Sequence, residues 1–154
     1  MLLSEYIRAE SVYLGLQATE SPAVLEELVT QLARALPIED PALLTAALIE
    51  REGLSTTGIG KGIAVPHCKS AQVEELVILL GRSAQGVEFK SLDGQPVRLF
   101  FLLVAPMSAA STHLKALAKI ARMAKQEEVI QRFLSLETAP EVFAYLQELD
   151  QQMD

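Results

Sequence analysis

The sequence predicts an α/β fold in which one mixed β-sheet lies between helical layers, within a single domain spanning residues 1–154. Two continuous apolar runs of strand length, Leu76–Leu80 and Val97–Ala105, are typical of strands that are buried on both faces. Amphipathic helical patterns lie before and after these runs, so helices can cover both faces of the sheet. The turn signal Asp93-Gly94 lies between the runs and predicts at least one antiparallel pair. We expect an ordered core over residues 2–149 and a frayed end after it.

The first half of the chain begins with a short β-like patch, Val12–Leu16, and continues with two helical patterns. Ser21-Pro22 predicts an N-cap with proline at the first helical position, and Asp40-Pro41 repeats this signal. Gly53 is expected to end the second helix. The apolar residues at helical spacing are Val24, Leu25, Leu28, Val29, Leu32 and Leu36 in the first helix, and Leu43, Leu44, Ala47 and Leu48 in the second.

Three more helices are expected after the second apolar run. Ser111 is expected to cap the first of them, and Glu127–Leu136 forms the next. Thr138 and Glu141 have the spacing of a capping box, which opens the last helix. The inner face of the helix that Ser111 opens is expected to carry Leu114, Leu117, Ala118, Ala121 and Met123.

Composition excludes several classes of function. The 154 residues contain 13 Lys and Arg and 20 Asp and Glu, a net charge of -7, which argues against a general nucleic-acid binder and suits a partner with a basic face. A single cysteine excludes an internal disulfide and a thiolate zinc cluster, and it favours the cytoplasm. The apolar run that ends before Pro106 is far shorter than the ~20 residues of a membrane span. We therefore expect a cytoplasmic protein with no membrane insertion, cofactor or metal.

His67 ends a glycine-rich segment in which Gly58, Gly60 and Gly62 alternate with other residues. Such glycines let the backbone approach another group closely and leave amide N–H groups uncovered, and Pro66 restricts the backbone before His67. The segment is neither a dinucleotide-binding fingerprint nor a P-loop, because the glycine spacing differs. A histidine on a stiff loop beside an anion nest is one interpretation. A structural histidine between glycines that only mark turns is the other.

Three further residues are candidates for the same chemistry. His113 falls in the first turn of its predicted helix, where the helix dipole favours a neutral imidazole and a nearby anion; taken alone, the position favours an exposed histidine at a helix start. Arg51 belongs to a charged helix end that is solvated by default. Cys68 follows His67, but neighbours on an extended segment point in opposite directions. Two histidines and one cysteine are also fewer ligands than a structural zinc site uses, so no metal site is expected.

Taken together, these segments resemble a known family. Arg51-Glu52, the segment from Thr56 to His67, and the segment Thr112-His113-Leu114 are similar to the active-site motifs of enzyme IIA of the fructose/mannitol and nitrogen-regulatory type. This enzyme belongs to the bacterial phosphoenolpyruvate-dependent phosphotransferase system. The similarity extends over Leu2–Leu149. The sequence departs from the commonest form of the motif at Thr56, Lys61 and Cys68, and none of these changes removes an expected phosphoryl ligand.

The resemblance implies a mixed sheet between helical layers and a phosphocarrier function. It implies that His67 accepts a phosphoryl group at Nε2, with Nδ1 held by a backbone hydrogen bond, and that His113 contacts this group from across the site. The donor would be an HPr-like phosphocarrier protein, and the receiver an enzyme IIB or a regulatory target protein. The remaining expected ligands are the Arg51 guanidinium and a pocket lining made by Thr57, Gly58, Gly60 and Gly62.

Two other functional classes remain to be weighed. A nitrogen-type regulatory module would use phosphorylation to switch partner binding without sugar transport, because the added negative charge changes which partners the surface accepts. A histidine-dependent hydrolase is disfavoured, because the sequence has no nucleophilic serine motif and no carboxylate dyad.

Overall fold

The computed structural model describes residues 1–108 and 110–154. Two single 3-10 turns, Leu3–Glu5 and Ala9–Ser11, precede the first strand. In chain order the strands are β1 (Val12–Tyr13), β2 (Gly58–Gly60), β3 (Ile63–Ala64), β4 (His67–Lys69), β5 (Val77–Val87) and β6 (Val97–Ala105). The helices are α1 (Ala23–Ala35), α2 (Pro41–Leu54), α3 (Ala110–Ala124), α4 (Glu127–Ser135) and α5 (Ala139–Met153).

The strands of the described residues form one mixed sheet in the order β1-β5-β6-β3-β2, and β4 also pairs with β6. β5 and β6 are antiparallel, with Leu80 opposite Phe101, whereas β1 runs parallel to β5. β3 and β4 both run parallel to β6, and β2 is antiparallel to β3. Residues 88–96 connect β5 with β6 and contain the expected turn, in which Gly94 N donates to the Ser91 carbonyl (3.0 Å). The predicted antiparallel pair is confirmed.

Helices cover both faces of the sheet. Successive residues of β6 point to opposite faces, so Phe100 and Leu102 pack with α1 and α2, while Phe101 and Leu103 pack with α3, α4 and α5. All four side chains are buried. Burial on both faces explains why β6 is continuously apolar instead of alternating. The expected fold class, a mixed sheet between helical layers, is confirmed.

Two of the predicted helix starts are confirmed. Asp40 caps α2, since its Oδ1 accepts from the backbone N–H of Leu43 (3.1 Å), and proline takes the first helical position. Thr138 caps α5, since its Oγ1 accepts from Glu141 N (3.3 Å) and donates to the Glu141 carboxylate (2.7 Å). Each cap satisfies a backbone donor that the first helical turn leaves free, which stabilises the helix by about 1 kcal/mol.

Other boundaries differ from the prediction. The N-cap of α1 is Pro22, not Ser21, and it makes no side-chain capping bond. Ser21 N instead donates to the Glu88 carbonyl (3.3 Å), which holds Ser21 in the turn beside the end of β5. α2 continues one residue past Gly53, to Leu54, and β1 is shorter than the predicted patch.

The buried face of α3 differs most from the prediction. Ser111 lies inside the first turn of the helix and does not cap it, because the helix begins at Ala110. Leu114 is 67% exposed, Ala118 and Ala121 are exposed, and Leu117 is half-buried. Met123 is buried as expected. The side chains that face the sheet include two polar ones; the buried members of this face are His113, Ala116, Lys119, Ile120, Met123 and Ala124.

A buried lysine on the inward face of α3 explains why the hydrophobic pattern predicts the wrong buried face for this helix. Lys119 is 2% exposed, and its Nζ lies 2.7 Å from Oδ1 of Asp150, which is fully buried in α5. The pKa of Asp150 lies below its ordinary value. Burial raises this pKa, but the hydrogen bonds from Lys119, Ser4 and Leu3 together lower it by more. A hydrophobic pattern predicts that a lysine is exposed, because the pattern carries no information about a buried carboxylate on another helix.

The described helices also bear on the membrane. None of them combines the length and the apolar character that a bilayer crossing requires.

Candidate active site

His67 is the first residue of β4, and its ring is oriented by the chain immediately before it. Nδ1 lies 2.8 Å from the Val65 carbonyl oxygen. A carbonyl oxygen only accepts hydrogen bonds, so Nδ1 carries the hydrogen and Nε2 keeps its lone pair. Next to it, Leu103 N of β6 donates to the Pro66 carbonyl (3.0 Å), which fixes this backbone to the centre of the sheet. The half-buried imidazole therefore presents a nucleophilic Nε2 on a rigid strand.

His113 lies beside His67, although 46 residues separate them. It belongs to the first turn of α3, and its ring centroid is 5.2 Å from that of His67, with the ring planes at 76°. His113 is 8% exposed, and its Nε2 is buried with no hydrogen-bond partner among the described residues. A buried polar atom without a partner costs free energy, and such atoms are typical of functional sites.

The protonation state of His113 follows from its surroundings. Burial lowers its pKa below the ordinary value of 6.5, and the electrostatic influence of the neighbouring His67 and Lys69 side chains lowers it further. The imidazole is therefore neutral near pH 7 and carries one N–H donor. The sequence predicted a neutral ring from the helix dipole, whereas burial is the larger cause here.

A cavity of about 260 Å³ opens beside His67. Its walls come from the end of α2, the residues that lead into β2, the approach to β4, and α3. The lining residues are Arg51, Thr56, Thr57, Ile59, Val65, His67, Leu117 and Ala121. The structure thus brings Arg51 and Thr57, both predicted from the sequence, to the same cavity as His67.

Arg51 lies in the last turn of α2. Its Nη1 donates to the Ser55 carbonyl (3.2 Å) and lies 3.5 Å from Ser55 Oγ. It forms no ion pair with any carboxylate of residues 1–108 or 110–154. Its charge is therefore not neutralised locally, and the guanidinium remains suitable for an anionic guest.

Glu52, which the sequence reading left as part of a solvated helix end, is a structural partner of the site. Its Oε2 accepts from the backbone N–H of Thr57 (2.6 Å), and its Oε1 accepts from the Thr57 hydroxyl (2.7 Å). Thr57 is 5% exposed. The spacing of a glutamate five residues before a threonine, across a helix end, is the only signal in the sequence that points to this contact.

The glycine-rich segment is a strand hairpin, β2 and β3, and not the loop that was expected. Three of its amide groups already have protein acceptors: Thr57 N donates to Glu52, Gly58 N donates to Thr56 Oγ1 (3.0 Å), and Lys61 N donates to Asp93 Oδ2 (2.9 Å). These three amides are therefore not free donors, and the anion-nest interpretation does not hold for them. Tertiary contacts, which the glycine pattern does not show, supply the acceptors.

The glycines have a different physical role. A Cβ on Gly58 would lie 2.9 Å from the Cα of Ser91, so the predicted close backbone approach is present here. Gly60 has a φ of 101°, which allows the turn into β3. Gly58, Gly60 and Gly62 are not among the residues that line the cavity beside His67. Their role is to shape the β2–β3 hairpin and not to line the cavity.

Asp93, which the sequence indicates only as part of a turn, also has a structural role near the site. Its carboxylate accepts from Lys61 N (2.9 Å) and from Gln95 N (3.1 Å), and these two bonds lower its pKa. Asp93 thereby ties the tip of the β2–β3 hairpin to the connection between β5 and β6.

Cys68 points away from the site. It packs among the side chains on the α1 and α2 face of the sheet, and burial raises the pKa of its thiol to about 11. A thiol with this pKa is a poor nucleophile at neutral pH. Across the described residues, no three His, Cys, Asp or Glu side chains are grouped closely enough to hold a metal ion.

The chain is similar to known proteins over nearly its whole length. The model of the family described as "Phosphoenolpyruvate-dependent sugar phosphotransferase system, EIIA 2" matches residues 5–149. The fructose-specific EIIABC component of the phosphotransferase system of Bacillus subtilis (strain 168) is 35% identical over 150 residues, which are 97% of this chain and 24% of that protein. This chain therefore spans about a quarter of the length of that relative.

Solved structures share the fold. The crystal structure of the nitrogen regulatory protein IIA-Ntr from Neisseria meningitidis matches with a TM-score of 0.87 and 30% identity, over 94% of this chain and 98% of that one. Enzyme IIAMTL, solved in complex with phosphorylated enzyme IIBMTL from Escherichia coli, matches with a TM-score of 0.75 and 23% identity, over 91% and 97% of the two chains. The chain belongs to the EIIA 2 family of the phosphoenolpyruvate-dependent sugar phosphotransferase system and is a phosphoryl-transfer component of that kind.

Proposed function

We propose that His67 accepts a phosphoryl group at Nε2 from the phosphohistidine of an HPr-like carrier protein and passes it to an enzyme IIB. One observation carries the proposal. The Nδ1–H of His67 is held by the Val65 carbonyl (2.8 Å), and Nε2 is left as a nucleophile beside His113 and the cavity that Arg51 lines. The relative from Bacillus subtilis and the IIAMTL complex support a sugar-transport setting of this kind.

The transfer balances without a cofactor. The Nε2 lone pair of His67 forms a bond to phosphorus while the N–P bond of the donor breaks, and the electron pair of that bond stays on the departing imidazole. Charge develops on three phosphoryl oxygens, so catalysis requires positioning and electrostatic stabilisation. Arg51 supplies a charge and His113 supplies a neutral N–H donor. Thr57 borders the phosphoryl group, and Gly58, Gly60 and Gly62 shape the hairpin behind it.

A protein partner is supported by the surface around the cavity. Leu114, which follows His113, is 67% exposed, Leu54 is 80% exposed and Ile59 is 38% exposed. Exposed apolar side chains next to a site are typical of contact surfaces for other proteins. The net charge of -7 favours a partner with a basic face, and the setting we propose is the cytoplasm.

Intact mass measurement tests the proposal directly. The protein is incubated with phosphoenolpyruvate, enzyme I and an HPr-type carrier, and one acid-labile phosphoryl adduct should appear. His67→Ala should abolish the adduct, whereas Cys68→Ser, at the adjacent residue on the other face of the sheet, should retain it. An adduct of normal yield on the His67→Ala variant would contradict the proposal.

Regulation without sugar transport is the second candidate. It is favoured by the match to the nitrogen regulatory protein IIA-Ntr, which covers nearly all of both chains. A pull-down with the phosphorylated and the unphosphorylated protein separates the two functions. Rapid transfer of the phosphoryl group to an enzyme IIB supports transport, and a target protein that binds only one of the two forms supports regulation.

A further inference from the structure

We propose that Glu52 is a positioning residue of the phosphoryl site: it turns the Thr57 hydroxyl away from the phosphoryl group and so keeps the phosphorylated His67 easy to discharge. The inference rests on the proposed function of His67. It assigns a role to a residue that does not line the cavity beside His67.

The contact is made through both hydrogens that Thr57 offers. The backbone N–H lies 2.6 Å from Oε2 of Glu52, and the hydroxyl lies 2.7 Å from Oε1. A carboxylate only accepts hydrogen bonds, so the hydroxyl must donate. Bonds to an ionised acceptor are roughly twice as strong as neutral ones, and these two distances are short. Thr57 is 5% exposed, so water does not compete strongly for them.

The orientation of this hydroxyl matters because Thr57 lines the cavity next to His67. With its hydrogen committed to Glu52, Thr57 Oγ1 has only lone pairs left for that cavity. It therefore offers no donor to an anionic guest, and the negative charge of Glu52 lies directly behind it. Thr57 is a wall of the phosphoryl pocket and not a ligand of the phosphoryl oxygens.

This arrangement suits a carrier. A group that stabilises the phosphorylated protein and the transition state equally increases occupancy without speeding the onward step. Arg51, which forms no ion pair with a described carboxylate, and His113, with its unpartnered Nε2, remain as the donors. Glu52 removes one further donor and thereby limits how tightly the phosphoryl group is held.

Glu52→Gln tests the inference because it reverses the hydrogen bond without changing the shape of the side chain. The amide oxygen can still accept from Thr57 N–H, while the amide NH₂ donates to Thr57 Oγ1. The hydroxyl hydrogen is then released from residue 52, and one negative charge is lost. We expect the equilibrium constant for phosphorylation by the carrier to rise about threefold to tenfold, and the onward transfer rate to fall by a similar factor. Loss of a merely structural contact would lower acceptance instead.

A double-mutant cycle isolates the hydroxyl. In a Thr57→Val background there is no hydroxyl to turn. Glu52→Gln should then raise the equilibrium constant for phosphorylation by less than half of the factor that it produces in the wild-type background. Glu50→Gln, an exposed glutamate on the same helix, is the matched control and should change the constant by less than about twofold. Equal effects of Glu52→Gln in the wild-type and Thr57→Val backgrounds would overturn the inference, and so would an unchanged or lowered constant.

The failure of this inference is distinguishable from the failure of the proposed function. If the wild-type protein accepts no phosphoryl group on His67, the proposed function fails. If it accepts the group and Glu52→Gln has no effect, only the positioning role fails. Should the variant not fold, the amide proton resonance of Thr57 in the wild-type protein decides. It should stay at a downfield position, typical of a short bond to a carboxylate, after phosphorylation, and a marked upfield shift would show that the contact opens, which overturns the inference.

Discussion

The segments that carry His67 and His113 reach the same site by different physical routes. The imidazole of His67 is oriented by a carbonyl only two residues earlier, on a short strand paired with the central β6. His113 is placed by the packing of a whole helix, whose next inward polar residue, Lys119, is bound to Asp150 in α5. The first half of the site is therefore determined locally. The second half depends on contacts between residues far apart in the sequence.

The largest expected effect comes from breaking the distant support of α3. Asp150→Ala leaves the buried Lys119 with only the exposed Asp154 carboxylate, 3.5 Å away, and frees the backbone N–H groups of Leu3 and Ser4. Removing one partner of a buried pair costs about 3–5 kcal/mol of unfolding free energy. Chemical denaturation measures this loss. Glu148→Ala, on an exposed position of the same helix, should change stability by less than about 0.5 kcal/mol. A loss as small as that of the control would show that the pair does not hold α3 in place.

The next effect separates the two histidines by rate. His113→Ala removes a buried donor but leaves the nucleophile of His67 in place, so the protein should still accept a phosphoryl group. The onward transfer should slow by roughly 10²-fold, the usual consequence of losing one donor to a developing charge. Single-turnover kinetics with an enzyme IIB acceptor measures it, with Lys125→Ala, just past the far end of α3, as the control. Normal rates for both steps would make His113 a bystander.

Gly58→Ala tests the local side of the comparison. The added methyl would lie 2.8 Å from Ser91 Oγ and 2.9 Å from Ser91 Cα, and the latter is backbone that cannot move aside cheaply. We expect a loss of about 1–3 kcal/mol in unfolding free energy. The matched control is Gly53→Ala, because a Cβ there meets no atom within 4 Å and the residue is helical. That variant should gain about 0.5–1 kcal/mol. Equal stability of the two variants would show that the hairpin tolerates a side chain at residue 58.

The smallest effect is a dependence of stability on pH. The pKa of His113 is lowered in the folded protein, so the unfolded chain binds a proton more readily. Its contribution to stability is complete above the ordinary value of 6.5 and is lost as the pH falls from there through the lowered pKa. Denaturation curves at about pH 7.5 and about pH 5 should show this loss in the wild-type protein and a smaller one in His113→Leu. Identical losses would mean that His113 does not titrate with folding.

Regular burial made much of the fold predictable. The apolar runs of β5 and β6 lie between helical layers and are buried on both faces. Their prediction therefore does not depend on identifying which face of the strand is buried. The starts of α2 and α5 were predictable because Asp40 and Thr138 bond to backbone groups three residues away. The orientation of His67 is local as well, since its ring is held by the Val65 carbonyl two residues earlier.

The errors share one cause. The helical pattern predicts Leu114 on the inner face of α3, but Leu114 lies outside, and Lys119, which is not among the residues predicted for that face, is buried against Asp150. The charged helix end predicts a solvated Glu52, but its carboxylate accepts from Thr57. The glycine pattern predicts uncovered amides in the hairpin, but the amide of Lys61 donates to Asp93. In each case a polar group found its partner in a different element, and the energy of that contact outweighed the local preference.

The sequence by itself determined the two apolar strand runs and two helix caps, because each depends on side chains and backbone within a few residues of one another. Only the tertiary structure decided which face of α3 points inward, that His113 stands 5.2 Å from His67, and which donors of the hairpin are already taken. The physical reason is that burying a polar group costs little free energy only where a complementary group is in reach. The position of that complementary group depends on how the whole chain packs.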